Sequence, residues 1–339
     1  MPNMSKFAEP APQRIIILRA LQIGDLLCAV PAFRALKTAL PQARTTLIGL
    51  PWAHRFVERF NFYLDGFIPL PGYPGFPEQN PEVSRFPDFL ATVQRSQYDL
   101  AIQMQGSGEI SNPLIMLLGA KYCAGFYLPG QYCPDPERFL PYPEHEPEMW
   151  RHLRLMEFLG APPQGDDLEF PLCDQDWKEI EGIKAKFGIQ RDCVCIHPGA
   201  RSPERRWPVE RFAGVADGLA AHGLQVVLTG TLDEAALTQA VAAQMQSPSL
   251  DLAGLTSLGA LAALISNARL VVSNDTGVAH IAAAVQTPSV VLFLASDPNR
   301  WAPQDLALHK VVTRAPASTT EEVLSQATGH LREVYANAL

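Results

Sequence analysis

The stretch Arg269–Trp301, RLVVSNDTGVAHIAAAVQTPSVVLFLASDPNRW, decides the fold class. Leu270, Val271 and Val272 form a short apolar run that reads as a strand. Ser273, Asn274 and Asp275 are turn and cap residues. Val278 to Val285 is small and apolar at helical spacing, Gln286-Thr287-Pro288 stops the helix, and Ser289 to Leu294 reads as a second buried strand. Two apolar strands joined by a helix make a βαβ unit, the building block of a parallel sheet covered on both faces.

The turn carries the chemistry. Asp275 sits where a strand gives way to a helix, so Thr276, Gly277 and Val278 fall in the first turn, where backbone N–H groups have no partner inside the helix. Such a terminus attracts anions, and Gly277 lets a phosphate approach the backbone. For an isolated Asp at this place the simpler reading is a helix N-cap. The Asp-Thr-Gly of aspartic proteases is excluded, because that chemistry needs two such aspartates sharing a proton and the sequence holds one.

At 339 residues the chain is long enough for two domains of ordinary size. Hydrophobic residues make up 47% and charged residues 18%, the balance of a globular chain. A net charge of −8 argues against nucleic acid as a partner. None of the six cysteines forms a CxxC pair, and Cys28, Cys193 and Cys195 lie in apolar segments, so they read as buried thiols in a reducing compartment and not as zinc ligands or a disulfide framework. The opening MPNMSKFAEPAPQ has no apolar core of signal-peptide length, and no run reaches the roughly 18 apolar residues of a membrane span. The expected location is the cytoplasm, with room for docking on the inner membrane.

Residues 1–13 read as a disordered tail. Ile15 to Leu18 is an apolar strand, followed by Gly24-Asp25 and a helix from Leu26 to Leu40. No GxGxxG follows the strand, so a nicotinamide dinucleotide site is not expected. Residues 69–87 and 129–147 hold six prolines each and cannot be helix or central strand. In the second half, Cys193 to Ile196 is a strand, followed by HPGARSPERRWPVERF. A glycine turn followed by Arg205 and Arg206 suits a pyrophosphate, because guanidiniums grip it in a bidentate way. The bland alternative pairs these arginines with Glu204 and Glu210 on a solvated loop. Asp174-Gln175-Asp176 invites a DxD metal reading, yet its place before Trp177 and a helix makes capping the better account. No metal site is expected.

Three segments together resemble glycosyltransferase family 9, the lipopolysaccharide heptosyltransferase family. They are GDLLCAVPAFRALKTALP (24–41), HPGARSPERRWP (197–208) and NDTGVAHIAAAVQTPSVVLF (274–293), with LAGLTSLGALAALISNARLVV just before the last. The resemblance implies an α/β chain of two Rossmann-like domains facing a cleft (GT-B), with the acceptor on the N-terminal domain (14–163), a linker (164–190), and the nucleotide-sugar donor on the C-terminal domain (191–318). It further implies that the C-terminal helix (319–339) packs back toward the N-terminal domain.

In that family the residue matching Asp25 is the proposed catalytic base. Gly199, Arg205, Arg206, Thr276, Gly277 and Val278 are then expected around the donor diphosphate, and Asp275 and His280 beside the donor sugar. A core role for His280 weighs about equally. Glu234, with Asp233 close behind, is the expected ribose ligand, although a helix cap is as credible. Leu255 and Thr256 are placed at the base. The resemblance implies an inverting, metal-independent transfer of a sugar from a nucleotide-sugar donor, ADP-heptose by family habit, onto a lipopolysaccharide-core or related glycan or glycolipid. A hydrolase or epimerase on the same fold, or a donor-binding protein without catalysis, is the competing reading. Leu294-Ala295-Ser296 departs from the commoner Gly-Pro-Thr of the family.

Overall fold

The computed structural model describes residues 6–7, 10–313 and 317–336. The chain divides into two compact units, Met1–Asp167 and Leu168–Leu339. The first holds a six-stranded parallel sheet of β1 (Arg14–Leu18), β2 (Arg44–Gly49), β3 (Gly66–Pro69), β4 (Leu100–Gln103), β5 (Tyr122–Tyr127) and β6 (Phe139–Pro141), in the order β3-β2-β1-β4-β5-β6. The second holds β7 (Cys193–His197), β8 (Gln225–Leu228), β9 (Ser249–Asp251), β10 (Leu270–Asn274), β11 (Ser289–Leu292) and β12 (His309–Val312), in the order β9-β8-β7-β10-β11-β12. Counted within each unit, both orders are 3-2-1-4-5-6, the doubly wound Rossmann arrangement.

The central strands explain themselves. Ile15 to Leu18 of β1 are fully buried, as are all of β7 and β10, because helices cover both faces of a parallel sheet. In such sheets the chain order reverses between the first and fourth strands, and ligands bind beyond the carboxyl ends there. Those points are β1/β4 in the first unit and β7/β10 in the second. Asp25 follows β1, Gly199 follows β7 and Asp275 follows β10, so each sequence motif lies at one of them.

The structure departs from the sequence reading in several places. Instead of one helix over 26–40 there are two, Ile23–Leu27 and Val30–Ala39. Pro31 is the reason: it has no N–H to donate to Leu27, and it sits instead in the first turn of a new helix, where none is needed. Within the tail expected to be disordered, residues 1–5, 8 and 9 lie outside the described residues, whereas Phe7 is buried and the Lys6 amide donates to Leu159 O at 3.0 Å. The helix read from Asp176 to Phe187 within the linker starts two residues earlier, at Asp174, and packs on the helix Leu258–Asn267 of the second unit. Glu179 secures that contact by accepting from the Ser257 amide (2.8 Å) and hydroxyl (2.7 Å).

The C-terminal helix, Thr320–Ala336, packs on the helix Val209–Ala221 and on strands of its own unit. Leu324 fills the space beside Gly218 so tightly that a Cβ there would fall under 3.0 Å from it. Residues 337–339 lie outside the described residues. Among the described residues, no helix is long and apolar enough to cross a membrane.

The edge of the second sheet carries a buried histidine. His309 on β12 is buried, and its Nδ1 lies 2.8 Å from Ser289 Oγ. His330 Nε2 lies 2.8 Å from Leu308 O. Burial pushes the His309 pKa down to about 4; Asp305 opposes the shift and His330 adds to it. The folded form therefore binds its proton more weakly than the unfolded chain. Stability is fully present above about pH 6.5, falls as pH drops toward 4, and has lost roughly 3 kcal/mol below that. Urea unfolding between pH 7 and 4 should show this slope, and His309→Gln should flatten it. An unchanged slope in the variant would contradict the assignment.

Candidate active site

In the first unit Asp25 is not the N-cap of its helix. Gln22 holds that place, and Asp25 is the third helical residue, whose carboxylate accepts from the Gln22 amide at 3.2 Å. Its backbone carbonyl is gripped from the other side. Arg19, wholly buried, donates to Asp25 O through Nε (2.9 Å) and Nη2 (2.7 Å), and to Met104 O through Nη1 (2.5 Å). Glu148 stands 3.2 Å from Arg19 Nη2 and also meets Arg151 (3.3 Å) and His152 (3.2 Å), all buried. A buried guanidinium needs such company, since an unpaired charge in the interior costs several kcal/mol. Sequence reading missed this network because Arg19 and Glu148 are 129 residues apart. Arg34 of the same motif is structural, since its Nη2 donates to Gly165 O (3.2 Å) and Asp167 O (3.0 Å).

In the second unit β7 ends in His197. Its Nδ1 lies 3.1 Å from Thr229 Oγ1, and its Nε2 lies 4.0 Å from Glu234 Oε2. Burial lowers the His197 pKa, with Glu234 opposing. Glu234 does cap a helical turn, as its Oε2 accepts from the Thr231 amide (2.8 Å) and hydroxyl (3.0 Å). The same carboxylate also leans over the Gly199 turn. A Cβ at Gly199 would fall under 3.0 Å from both of its oxygens. Cap and turn contact are thus held together in one side chain. Gly199→Ala should push the Glu234 carboxylate aside and loosen its bond to the Thr231 amide, a loss of about 0.5–1.5 kcal/mol read as a lowered urea midpoint. A wild-type midpoint would show that the carboxylate yields freely.

Asp233 points outward and is exposed, so Glu234 is the inward-facing acid of the pair. Leu255 and Thr256 follow β9. Their turn lies against the β8 turn, since the Gly254 amide donates to Gly230 O at 2.9 Å and Gly254 abuts Leu232. Leu255 is exposed and Thr256 half-buried.

At the end of β10 the expected N-cap is displaced by one residue. Thr276 is the N-cap of the helix Gly277–Ala284, its backbone extended at φ −155°. Gly277 and Val278 open the first turn, where their N–H groups have no intrahelical partner. Asp275 therefore does not cap the helix. It is buried and pairs with Arg205, whose Nη1 lies 3.7 Å from Asp275 Oδ2. Arg206 is engaged differently: its Nε donates to Ala200 O at 2.8 Å, which holds the loop closed. The Arg205 side chain is 41% exposed beside the helix terminus. His280 is buried and meets Trp301 edge-on, centroids 6.3 Å apart, a packing contact.

One residue ties these parts together that sequence reading treated only as a turn former. Asn274 is fully buried. Its Oδ1 accepts from the Trp207 amide (3.0 Å), and its Nδ2 donates to Pro198 O (2.8 Å) and Gly199 O (3.4 Å). The available signal was a polar residue ending an otherwise apolar buried strand.

The Asp174–Asp176 pair behaves as a cap: Asp176 accepts from the Cys173 amide at 2.9 Å. Among the described residues, no three His, Cys, Asp or Glu side chains gather as metal ligands.

The switch-point sites thus hold a carboxylate after β1 and an Arg–Asp pair at a helix terminus after β10. The sequence model of glycosyltransferase family 9 (heptosyltransferase) matches residues 88–328, over half of the chain. The chain belongs to glycosyltransferase family 9. Lipooligosaccharide heptosyltransferase 2 of Haemophilus ducreyi is 25% identical over 294 residues, 83% of this chain and 82% of that one. Lipopolysaccharide heptosyltransferase 3 of Escherichia coli strain K12 is 35% identical over 156 residues, a match that spans only 45% of either chain. The solved structure of Escherichia coli ADP-heptose lps heptosyltransferase II superposes with a TM-score of 0.76 at 21% identity, covering 95% of this chain and 99% of that one. This family 9 chain therefore has the GT-B class of fold and is a glycosyltransferase.

Proposed function

We propose that this family 9 enzyme is an inverting, metal-independent transferase that moves a heptose from ADP-heptose onto a lipopolysaccharide-core or related glycan acceptor. The observation that carries the donor half is the Arg205–Asp275 pair beside the amino end of the Gly277–Ala284 helix. The relatives' names supply the sugar and acceptor class. The donor diphosphate is assigned to the N–H groups of Gly277 and Val278, with the Thr276 cap beside them, and to Arg205. Helix terminus and guanidinium provide the charge stabilisation that a departing ADP needs, in place of a metal. Asp275 and His280 are assigned to the sugar, Glu234 to the ribose, and Leu255 and Thr256 to the base.

In the transfer step Asp25 accepts the proton of the acceptor hydroxyl. The hydroxyl oxygen bonds to the anomeric carbon from the face opposite the diphosphate, and the bond from that carbon to the phosphate oxygen breaks. ADP leaves with the electron pair, and the configuration inverts. With an acceptor of this class, the proposed location is the cytoplasm, with docking at the inner membrane.

The experiment is a transfer assay with ADP-heptose and a truncated lipopolysaccharide core, with and without EDTA. Transfer at equal rates in both supports the reading. ADP release without glycan product would make it a hydrolase. Loss of transfer in EDTA that Asp174→Ala reproduces would restore the metal site.

A further inference from the structure

Asn274 carries more of the donor site than its position on a buried strand suggests. The loop from Pro198 to Trp207 leaves β7, bears Gly199 and Arg205, and returns to the sheet edge. Inside it the backbone makes short turns, such as Arg205 N to Ser202 O (3.0 Å) and Arg206 N to Pro203 O (3.0 Å), and Arg206 Nε donates to Ala200 O (2.8 Å). Both ends of the loop are held by one amide. At the start, Pro198 O and Gly199 O accept from Asn274 Nδ2; at the finish, the Trp207 amide donates to Asn274 Oδ1. The demand is two donors and one acceptor at a site with no exposure to water. An amide of this length meets it. A carboxylate offers no donor, and an apolar residue leaves three buried backbone groups without partners.

Asn274 is also the residue before Asp275, and Trp207 is two residues past Arg205. The clasp therefore sets the backbone on both sides of the Arg205–Asp275 pair (3.7 Å). Trp207 is anchored in turn by the core, where it meets Phe212 edge-on at 5.4 Å. A guanidinium on such a fixed base reaches an anion with less ordering to be done on binding.

We propose that Asn274 is the positioning residue of the donor site, which clasps the Gly199–Trp207 loop to β10 and so aims Arg205 at the nucleotide diphosphate. The inference rests on the donor-site reading given above.

The test is calorimetric titration with ADP of the wild type, Asn274→Asp, Asn274→Leu, Arg205→Ala and the double variant Asn274→Asp/Arg205→Ala, with melting curves for each. Asn274→Asp keeps the acceptor for Trp207 and removes both donors. It should weaken ADP binding roughly tenfold, the value of about one buried hydrogen bond and the ordering it provides. The Michaelis constant for the donor should rise while that for the acceptor stays constant. In the double variant the losses should fall well short of additive, because both act on one group. Wild-type ADP affinity in a folded Asn274→Asp variant, or full additivity with Arg205→Ala, would overturn the proposal and leave Asn274 a stability residue. If neither Asn274 variant folds, hydrogen exchange of the Trp207 amide in the wild type decides. Added protection with ADP supports the clasp, and unchanged protection overturns it. No ADP binding by the wild type would instead bring down the donor-site reading, and this inference with it.

Discussion

Asp25→Asn is expected to lower sugar transfer by about 10²–10⁴-fold while ADP binding stays at the wild-type value. The size follows from what general-base catalysis contributes. The separation follows from placement, since Asp25 belongs to the first unit and the residues assigned to the donor belong to the second. Asparagine is the informative replacement because Asp25 has a second role, accepting the Gln22 amide at 3.2 Å. The Asn side-chain oxygen can keep that hydrogen bond. Arg19 holds the backbone of residue 25 through its carbonyl, which the substitution does not touch. The melting temperature should therefore change little, whereas Asp25→Ala should also lose the hydrogen bond to the Gln22 amide, worth about 0.5–1.5 kcal/mol. Wild-type turnover by Asp25→Asn would remove the base assignment.

Arg205→Ala should weaken ADP binding roughly 10- to 100-fold, since hydrogen bonds to charged groups contribute about 1.5–3 kcal/mol. It should lower kcat by a further ~10²-fold, the usual effect of removing a donor that stabilises developing charge. A confounding effect is built into the site. Asp275 is only 5% exposed, and Arg205 is the cation beside it, so the alanine variant also leaves a buried carboxylate short of a partner. Arg205→Lys separates the two effects. It keeps a charge for Asp275 but loses the planar fork, so it should restore the melting temperature more fully than the ADP affinity. Equal recovery of both would mean that Arg205 only neutralises Asp275. Arg206→Ala should change ADP affinity less than Arg205→Ala, because the Arg206 Nε is spent on Ala200 O.

The fold was legible because the central strands are unbroken apolar runs. Ile15–Leu18, Cys193–Ile196 and Leu270–Val272 need no tertiary information to be read as buried parallel strands. The edge strands β3, β6 and β12 were not read, since each is short and only partly buried. The break between Leu27 and Val30 turns on Pro31, whose effect depends on which turn of a helix it occupies. Candidate residues that belong to short motifs, such as Asp25, Gly199, Arg205 and Asp275, were found from the motifs. Their supports were not. Arg19 reaches Glu148 across 129 residues, and Asn274 reaches Trp207 across 67, and no spacing in one sequence reveals such a pair. The cap at Asp275 was misplaced by one residue for a related reason. Asp and Thr both serve as N-caps, and only the tertiary partner Arg205 draws Asp275 away from that role.

The proposed function stands or falls with a metal-independent site for a nucleoside diphosphate in the second unit. Calorimetric titration of the protein with ADP, UDP and GDP, with and without EDTA, tests that site most directly. The expected result is ADP-selective binding that EDTA does not change and that Arg205→Ala weakens. Binding of none of the three, or binding that disappears in EDTA, would contradict it.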